Sequence, residues 1–197
     1  MSGVGSTEPP KSGGAGFAGA GAGMRIQAQR LYLRELEPTD AGGPYLEWMR
    51  DPVVTRFLEA RFEENDEESL RRYVTAQRDD PSTLLLAIVL SEGDRHIGNV
   101  KLGPIDRNHL SADIGILIGD RGSWGLGYAS EAIAALSSYA FAELGLRKLT
   151  AGSYAPNIGS IRAFEKAGFR REGLQSGQYV CEGERVDGVL LGRLSAE

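Results

Sequence analysis

The chain of 197 residues has little cysteine, little histidine and no long apolar run, and each shortage excludes a class of protein. Its one cysteine, Cys181, has no partner in the chain for a disulfide, which favours a reducing compartment and an inert thiol. The two histidines, His96 and His109, are isolated from each other and from other ligands, so we expect no metal site. No apolar run approaches the roughly 20 residues of a membrane-spanning helix. We therefore expect a soluble, cytoplasmic protein.

Positive charge is also sparse, because 22 Lys and Arg stand against 27 Asp and Glu, and the formal net charge is -5. The densest basic clusters are the pairs Arg71-Arg72 and Arg170-Arg171, which are too short to follow a phosphate backbone. The composition argues against a nucleic-acid partner. A net acidic protein attracts a cationic substrate, although only weakly.

The beginning of the chain differs from the rest in composition. Residues 1–23 hold eight of the 27 glycines and few large apolar side chains. Such a segment buries too little apolar surface to offset the entropy of ordering it, so we predict a disordered tail over residues 1–24. It also lacks the regions of a secretory signal. The remaining residues, 25–197, have the length of one folded domain.

Hydrophobic periodicity over that domain predicts the element order β-α-α-β-β-β-α-β-α-β-β, a mixed α/β sheet with helices on both faces. Three strands over residues 84–90, 96–102 and 110–118 are joined by short connections and should be antiparallel neighbours. The helix starts are predicted from capping signals. They are a short helix over Pro44 to Arg50, a longer one capped by Asn65 with Glu68, and one opened by Pro156-Asn157.

The most informative segment is the glycine-rich turn that follows the strand at residues 110–118. It reads Trp124-Gly125-Leu126-Gly127-Tyr128-Ala129-Ser130 and leads into a helical pattern. The first N–H groups of a helix lack internal partners, and glycine lets an anion approach them closely. Tyr128 and Ala129 stand where a Walker loop has Lys and Ser or Thr, and the third glycine of a dinucleotide fingerprint is missing. The turn therefore predicts a phosphorylated ligand and meets neither of those two patterns.

This turn and the segment Asn157-x-x-Ser160-x-x-x-Phe164-Glu165-Lys166-Ala167-Gly168-Phe169 together resemble the GNAT acetyltransferases, and within them the RimJ/RimL-like branch. The resemblance covers about residues 29–195. It implies a single-domain GNAT fold, with a mostly antiparallel sheet that splays between the fourth and fifth predicted strands. It also implies acetyl-CoA as co-substrate and an amine as acceptor. The family's turn has the form Q/R-x-x-G-x-G/A, and Trp124 replaces the Gln or Arg here.

The resemblance assigns acetyl-CoA to three parts of the chain. The backbone amides of residues 125–130 would carry the pyrophosphate, the strand edge at residues 116–118 would pair with the pantetheine arm, and Asn157 would hold that arm. A backbone N–H of the edge would face the thioester oxygen and stabilise the tetrahedral oxyanion. The predicted cofactor contacts are Ile116, Leu117, Ile118, Trp124, Gly125, Leu126, Gly127, Tyr128, Ala129, Ser130, Asn157 and Phe164.

Acetyl transfer to an amine needs a proton acceptor, because a primary ammonium must lose a proton before its nitrogen can attack. Strand alternation places Asp113 with Gly115 and Leu117, opposite the isoleucine face, so its carboxylate is the first candidate. The alternative is that Asp113 is a solvated strand residue.

The departing thiolate raises a second question of proton transfer. Many GNAT enzymes have a proton-donating tyrosine seven residues after the asparagine, but Phe164 stands there and has no proton to give. Either Ser160 donates instead, or the thiolate leaves unaided, because a thiol of pKa about 8.5 is a fair leaving group. The predicted catalytic residues are Asp113, Asn157 and Ser160.

The acceptor should lie against the early helical region. Glu59, Arg61 and Phe62 fall there, in a segment without clear periodicity, and are the predicted substrate contacts. Asp187 is a further candidate, which either reaches the same pocket or only pairs with Arg185.

Three functions remain open on these grounds. The first is acetylation of a small-molecule amine, such as an amino sugar or a nucleotide-linked amino sugar. The second is acetylation of a protein N-terminus, and the third is a regulatory module that binds acetyl-CoA without catalysis. A homodimer is the assembly that we consider.

Overall fold

The computed structural model describes residues 23–196, so nearly all of the predicted tail lies outside the described residues. Within that range the strands are β1 (Arg25–Gln27), β2 (Leu31–Glu35), β3 (Leu84–Leu90), β4 (His96–Asp106), β5 (Ser111–Ile118), β6 (Lys148–Tyr154), β7 (Arg170–Cys181) and β8 (Glu184–Leu194). The α-helices are α1 (Pro44–Arg50), α2 (Pro52–Thr55), α3 (Glu67–Asp79), α4 (Tyr128–Ala142) and α5 (Ile158–Lys166). Short 3-10 helices cover Pro38–Gly42, Glu59–Phe62 and Arg121–Ser123.

The described strands form one sheet in the order β1-β2-β3-β4-β5-β6-β8-β7. Neighbours are antiparallel except β5 and β6, which are parallel and are connected through α4, as parallel strands require. Pairing between β5 and β6 is limited to Ser111 with Lys148, Ala112 with Leu149 and Asp113 with Thr150. Beyond these pairs the two strands separate and leave free backbone edges. The predicted splay between the fourth and fifth predicted strands is confirmed, and it lies between β5 and β6.

Helices cover both faces of the sheet, as the sequence predicts. One core contains Ile133, Leu136 and Phe164 and packs α4 and α5 on one face, which we call the α4/α5 face. A second core contains Trp48 and Val74 and packs α1 and α3 on the opposite face, which we call the α1/α3 face. The single mixed sheet between two helical layers is the predicted fold class.

Strand alternation in β5 divides its side chains between these faces. Ala112 and Ile114 belong to the core of the α4/α5 face, and Ile116 packs against it. Leu117 packs against the core of the α1/α3 face. Asp113 has the same parity as Leu117 and therefore also projects towards the α1/α3 face, as the sequence predicts.

The cap of α3 differs from the prediction. The side chain of Asp66 accepts a hydrogen bond from the Ser69 N–H at 2.6 Å, and the Ser69 hydroxyl accepts one from the Asp66 N–H at 3.1 Å. The predicted cap, Asn65 with Glu68, is therefore wrong by one residue. Asn65 instead donates its side-chain amide to the carbonyl of Ala60 at 2.9 Å, a contact that depends on the preceding turn.

Helix α1 is fixed against the end of β5, directly before the glycine-rich turn. The Trp48 ring meets the His96 ring edge to face, with centroids 4.9 Å apart. A Cβ on Gly119 would lie 2.0 Å from Cδ2 of Trp48, so only glycine fits there. This packing positions the start of the turn relative to the sheet.

Candidate active site

The turn between β5 and α4 presents a row of free backbone donors. Gly125 and Gly127 have left-handed φ values of 75° and 86°, which glycine adopts without strain. Among residues 23–196, no acceptor is hydrogen-bonded to the N–H groups of residues 125–130. Unpaired donors at the N-terminus of a 15-residue helix attract an anion, because the helix dipole adds positive potential there. The arrangement fits the pyrophosphate predicted from the sequence.

Trp124 has a structural contact that the sequence did not reveal. Its indole Nε1–H donates to the carbonyl oxygen of Ile118 at 2.7 Å, and 43% of the residue remains exposed. The tryptophan at the family's Gln/Arg position therefore ties the turn to the end of β5. It also occupies a carbonyl of the strand edge that was predicted to receive the pantetheine arm.

The free edge of β5 lies where the pantetheine arm was predicted to pair. Ile116, Leu117 and Ile118 pair with β4 on one side and have no strand partner on the side of β6. All three are half-buried. Their contact with the cofactor stays a prediction.

Asn157 and Ser160 lie at the start of α5. The side-chain oxygen of Asn157 accepts a hydrogen bond from the Ser160 N–H at 3.2 Å, which confirms the predicted helix cap. Phe164 is 1% exposed and packs edge to face on Phe169, with centroids 5.1 Å apart. The structure does not support a cofactor contact for Phe164, because its ring is used within the core.

Asp113 lies at the closed end of the splay. Its carboxylate accepts a hydrogen bond from the Thr150 hydroxyl at 2.8 Å, in the last residue pair that joins β5 to β6. Burial raises the pKa of Asp113 above its usual range, while the Thr150 hydrogen bond and the charge of Lys101 offset part of the rise. A carboxylate with a raised pKa is a better proton acceptor than an ordinary aspartate.

Two glycines mark the place where the splay begins. Gly115 and Gly152 lie two residues beyond the Asp113–Thr150 pair on their strands. Because strand residues two apart lie on the same face, both glycines face the α1/α3 side of the cleft. Among the described residues, no atom lies within 4 Å of the position that a Cβ on Gly115 would occupy. We call this place the glycine opening. It lies about 7 Å along the strand from Asp113, at about 3.3 Å per residue.

A cluster of aromatic and charged side chains borders the glycine opening on the α1/α3 face. Tyr154, at the end of β6, is 5% exposed and donates its hydroxyl to the carboxylate of Glu59. Arg61 Nη2 donates to the Tyr154 hydroxyl at 3.0 Å and to the Val180 carbonyl at 2.8 Å. The Tyr154 ring stacks on Tyr179, with centroids 4.0 Å apart. We call Glu59, Arg61, Tyr154 and Tyr179 the acceptor-side cluster.

Within this cluster, Tyr179 is the residue nearest to the glycine opening. Its Oη lies 3.8 Å from the position of a Cβ on Gly152, and it has no hydrogen-bond partner among the described residues. Burial and the hydrogen bond to Glu59 raise the pKa of Tyr154, so that phenol remains a donor at neutral pH. The cluster can therefore offer a free hydroxyl and a carboxylate to a bound amine.

Sequence reasoning found Glu59 and Arg61 but missed Tyr154 and Tyr179. The predicted strand ended at Ser153, one residue before Tyr154. Continued alternation from Thr150 through Gly152 was the signal that could have extended it. Tyr179 is far from the other members in sequence, and no local pattern marks it.

Two predicted substrate residues are not part of this cluster. Phe62 is 69% exposed, and its ring lies 4.2 Å from the Arg61 guanidinium carbon. Asp187 accepts a hydrogen bond from the Gly177 N–H at 2.7 Å and so fixes the irregular part of β7. Alternation in β8 places Asp187 with Val189, on the α4/α5 face. Neither predicted role of Asp187, the acceptor pocket or a pair with Arg185, is what the structure shows.

Glu131, in the first turn of α4, is also not free. It forms an ion pair with Arg30 at 2.8 Å, so its carboxylate is a structural group, as the helix position suggested. Across residues 23–196, no three His, Cys, Asp or Glu side chains lie close enough to hold a metal ion. In the same range, no helix is both long and apolar enough to cross a membrane.

Comparison with known proteins now decides the family. A family model described as the acetyltransferase (GNAT) domain matches residues 30–170, which is more than half of the chain. The chain belongs to the GNAT acetyltransferase family. The probable N-acetyltransferase YjcK of Bacillus subtilis (strain 168) is 30% identical, over 87% of this chain and 98% of that protein. This GNAT protein is therefore an acyltransferase that uses acetyl-CoA.

Solved structures show how far this GNAT fold is shared. Spermidine N-acetyltransferase from Vibrio cholerae, solved with CoA and spermine, has a TM-score of 0.74 at 23% identity, over 84% of this chain and 95% of that one. RimL, a ribosomal L7/L12 α-N-protein acetyltransferase solved with CoA, has a TM-score of 0.78 at 16% identity, over 87% and 98%. At these identities the likeness is one of fold and assigns no acceptor.

Proposed function

We propose that this GNAT enzyme transfers the acetyl group of acetyl-CoA to a primary amine of a small molecule, with both substrates bound together. The observation that carries the proposal is the splay between β5 and β6. The free amides of the glycine-rich turn lie on one side of this splay. The glycine opening and the acceptor-side cluster lie on the other side. An amine at the opening would reach a thioester in the cleft directly.

Each part of the site has a proposed role. The amides of residues 125–130 bind the pyrophosphate, and Asn157 and the free edge of β5 bind the pantetheine arm. A backbone N–H of that edge stabilises the oxyanion. Asp113 takes the proton of the ammonium through a water molecule, because it lies about 7 Å from the opening along the strand. Ser160 donates a proton to the thiolate, or the thiolate leaves without one.

A small acceptor, such as an amino sugar or a nucleotide-linked amino sugar, is favoured by two bridges beside the cluster. Arg61 connects the Glu59–Phe62 helix to the Val180 carbonyl, and Arg56 forms an ion pair with Glu182 at 2.8 Å. Both bridges join the early helical region to the hairpin of β7 and β8. They narrow the approach to the glycine opening from that side, which suits a small molecule better than an extended peptide.

A panel of amines tests this proposal. Turnover of acetyl-CoA is measured by the release of free thiol. We expect kcat/KM for amino sugars or nucleotide-linked amino sugars to be at least about tenfold higher than kcat/KM for peptides with a free N-terminus. Even a difference of one methylene group in a pocket changes kcat/KM by about 10- to 200-fold. Intact-mass analysis of the peptides shows whether their N-termini become acetylated. A preference for peptides would support the protein acetyltransferase. Tight CoA binding without turnover on any amine would support the regulatory module.

A pair of matched Tyr→Phe variants tests the location of the acceptor. Tyr179→Phe keeps the stacked rings and removes only the hydroxyl that lies over Gly152. We expect it to raise the KM of the acceptor about tenfold, the loss of one hydrogen bond, with an unchanged Kd for CoA and an unchanged Tm.

Tyr154→Phe is the control, because its hydroxyl bonds Glu59 and Arg61 rather than facing the opening. Loss of these buried bonds should lower Tm by several degrees, at about 2–4 °C per kcal/mol for a domain of this size. An unchanged acceptor KM in Tyr179→Phe would remove this hydroxyl from the acceptor site.

A further inference from the structure

Arg30, in the loop between β1 and β2, reaches the back of the cofactor turn. Its Nη1 donates to the carbonyl of Leu126 at 3.0 Å, between the two left-handed glycines. Its Nε donates to Glu131 at 2.8 Å, and its backbone N–H donates to the other oxygen of that carboxylate at 2.6 Å. The guanidinium also lies over the Tyr128 ring, 4.5 Å from the centroid. One residue from a distant part of the chain therefore contacts the turn and the first turn of α4.

The contact with Leu126 determines the direction of the next donor. In a trans peptide the C=O of one residue and the N–H of the next point in opposite directions, because the unit is planar. When Arg30 holds the Leu126 carbonyl, the N–H of Gly127 is directed away from Arg30, towards the free side of the turn. The Ser130 hydroxyl donates to the Gly127 carbonyl at 2.9 Å. By the same argument, this hydrogen bond helps to fix the direction of the Tyr128 N–H.

Trp124 holds the start of the turn and Ser130 holds the Gly127 carbonyl, so the Leu126 peptide between them depends on Arg30. Gly125 and Gly127 have wide conformational freedom, and ordering them costs more entropy than ordering other residues. Within residues 23–196, no atom lies within 4 Å of the position of a Cβ on Gly125. The N–H groups of residues 125–130 have no acceptor among the described residues, so they add no hydrogen bond that would order the turn. A turn that is already ordered avoids this cost at the moment of binding.

Glu131 has a role in the same arrangement. Its side chain is 15% exposed and would place a negative charge beside an anion site if it were unpaired. The ion pair with Arg30 compensates that charge, and the two bonds from one carboxylate fix the Arg30 side chain and backbone. Glu131 is thus the anchor that holds Arg30 against the turn.

We propose that Arg30 is a positioning residue for acetyl-CoA: anchored by Glu131, it holds the Leu126 carbonyl so that the amides of the turn face the pyrophosphate before the ligand arrives. It acts through the backbone and touches neither the thioester nor the acceptor. Its removal therefore weakens the binding of CoA without slowing the chemical step.

The test measures the Kd for CoA by calorimetry, and kcat at saturating acetyl-CoA. Arg30→Ala should raise the Kd about tenfold or more, and kcat should remain within about twofold of the wild type. Arg30→Lys keeps the charge but replaces the two separate donors Nε and Nη1 by a single nitrogen on a flexible stem, so the hold on Leu126 should loosen and the Kd should rise at least about threefold. If Arg30→Ala does not fold, Arg30→Lys decides the result by itself.

Two controls separate positioning from stability and from charge. Arg34→Ala breaks a comparable ion pair with Asp40, at 2.7 Å, away from the turn, and should lower Tm with an unchanged Kd for CoA. The double variant Arg30→Ala/Glu131→Gln removes the unpaired charge but does not restore the hold on Leu126, so its Kd should remain raised.

Wild-type affinity in Arg30→Lys or in the double variant would overturn the proposal, and an equal rise of the Kd in Arg34→Ala would also overturn it. The Kd for CoA is measured without acceptor, so the Kd results do not depend on which amine is the substrate. Only kcat is measured with the acceptor identified from the amine panel.

Discussion

Asp113→Asn should lower kcat/KM for the acceptor about 10²- to 10⁴-fold at neutral pH, the range for removal of a general base. The variant keeps the size of the side chain and its ability to accept the Thr150 hydrogen bond, and it loses only basicity. Steady-state kinetics with the acceptor identified from the amine panel measure the effect. The Kd for CoA should not change.

The pH dependence distinguishes a base from a structural carboxylate. In the wild type, burial raises the pKa of Asp113. As the pH is lowered, activity should therefore be lost at a higher pH than it would be with an aspartate of ordinary pKa. In Asp113→Asn the loss should shrink as pH rises, because an amine with a pKa of about 8 to 10 increasingly loses its own proton.

Stability provides the control for this variant. An acid whose pKa is higher in the folded state than in the unfolded state favours folding at low pH, and this contribution is lost as pH rises through the folded pKa. Burial raises the pKa of Asp113 and so disfavours its ionised form, and a neutral amide of the same size avoids this cost, so Asp113→Asn should not lower Tm. Turnover and a pH profile like those of the wild type would leave Asp113 only its structural role, as the acceptor of the Thr150 hydrogen bond. The proton acceptor would then be Glu59 or water.

Gly127→Val should raise the Kd for CoA about 100-fold or more, because it disturbs the turn in two ways. Valine is strongly disfavoured at φ 86°, at a cost on the order of 1–3 kcal/mol, and relaxation of that strain would turn the amides away from the pyrophosphate. The new side chain would also crowd Arg30, whose Nη2 lies 3.4 Å from the position of a Cβ. Calorimetry with CoA measures the change.

Gly145→Val is the matched control for backbone strain. Gly145 follows the other end of α4 and has a φ of 65°, and in the described part of the chain no atom lies within 4 Å of the position of a Cβ on it. This variant should lose stability to a similar degree, while its Kd for CoA stays that of the wild type. Equal CoA affinities in Gly127→Val and the wild type would contradict the assignment of the turn to the pyrophosphate.

Several parts of the site follow from signals that are local in the sequence. Gly125 and Gly127 before a helical pattern predict an anion site, because the helix itself supplies the donors. Asn157 three residues before Ser160 predicts the cap of α5, and the hydrogen bond is present at 3.2 Å. Alternation in β5 correctly predicts the face of Asp113. In each case the residues that interact are neighbours along the chain or along one strand.

The errors fall where packing between elements sets the partner, or where an element is too short to show a pattern. Asp187 was expected at the acceptor pocket or beside Arg185, but Gly177 of β7 takes its carboxylate. Phe164 was expected at the cofactor, but Phe169 and the core take its ring. Strand β1 was not predicted at all, because three residues are too short to show alternation.

The sequence by itself determined the class of fold and the glycine-rich turn that we assign to acetyl-CoA. Periodicity and capping act within one element, and the two glycines leave backbone amides free at a helix start, whatever side chains surround them. Only the tertiary structure brought together the cluster that we propose for the acceptor. Glu59, Tyr154 and Tyr179 meet because β8 pairs with both β6 and β7 and the Glu59–Phe62 helix lies against them, and Arg30 reaches Leu126 across 96 positions of the chain. Such contacts depend on the packing of whole elements, which no local pattern of residues encodes.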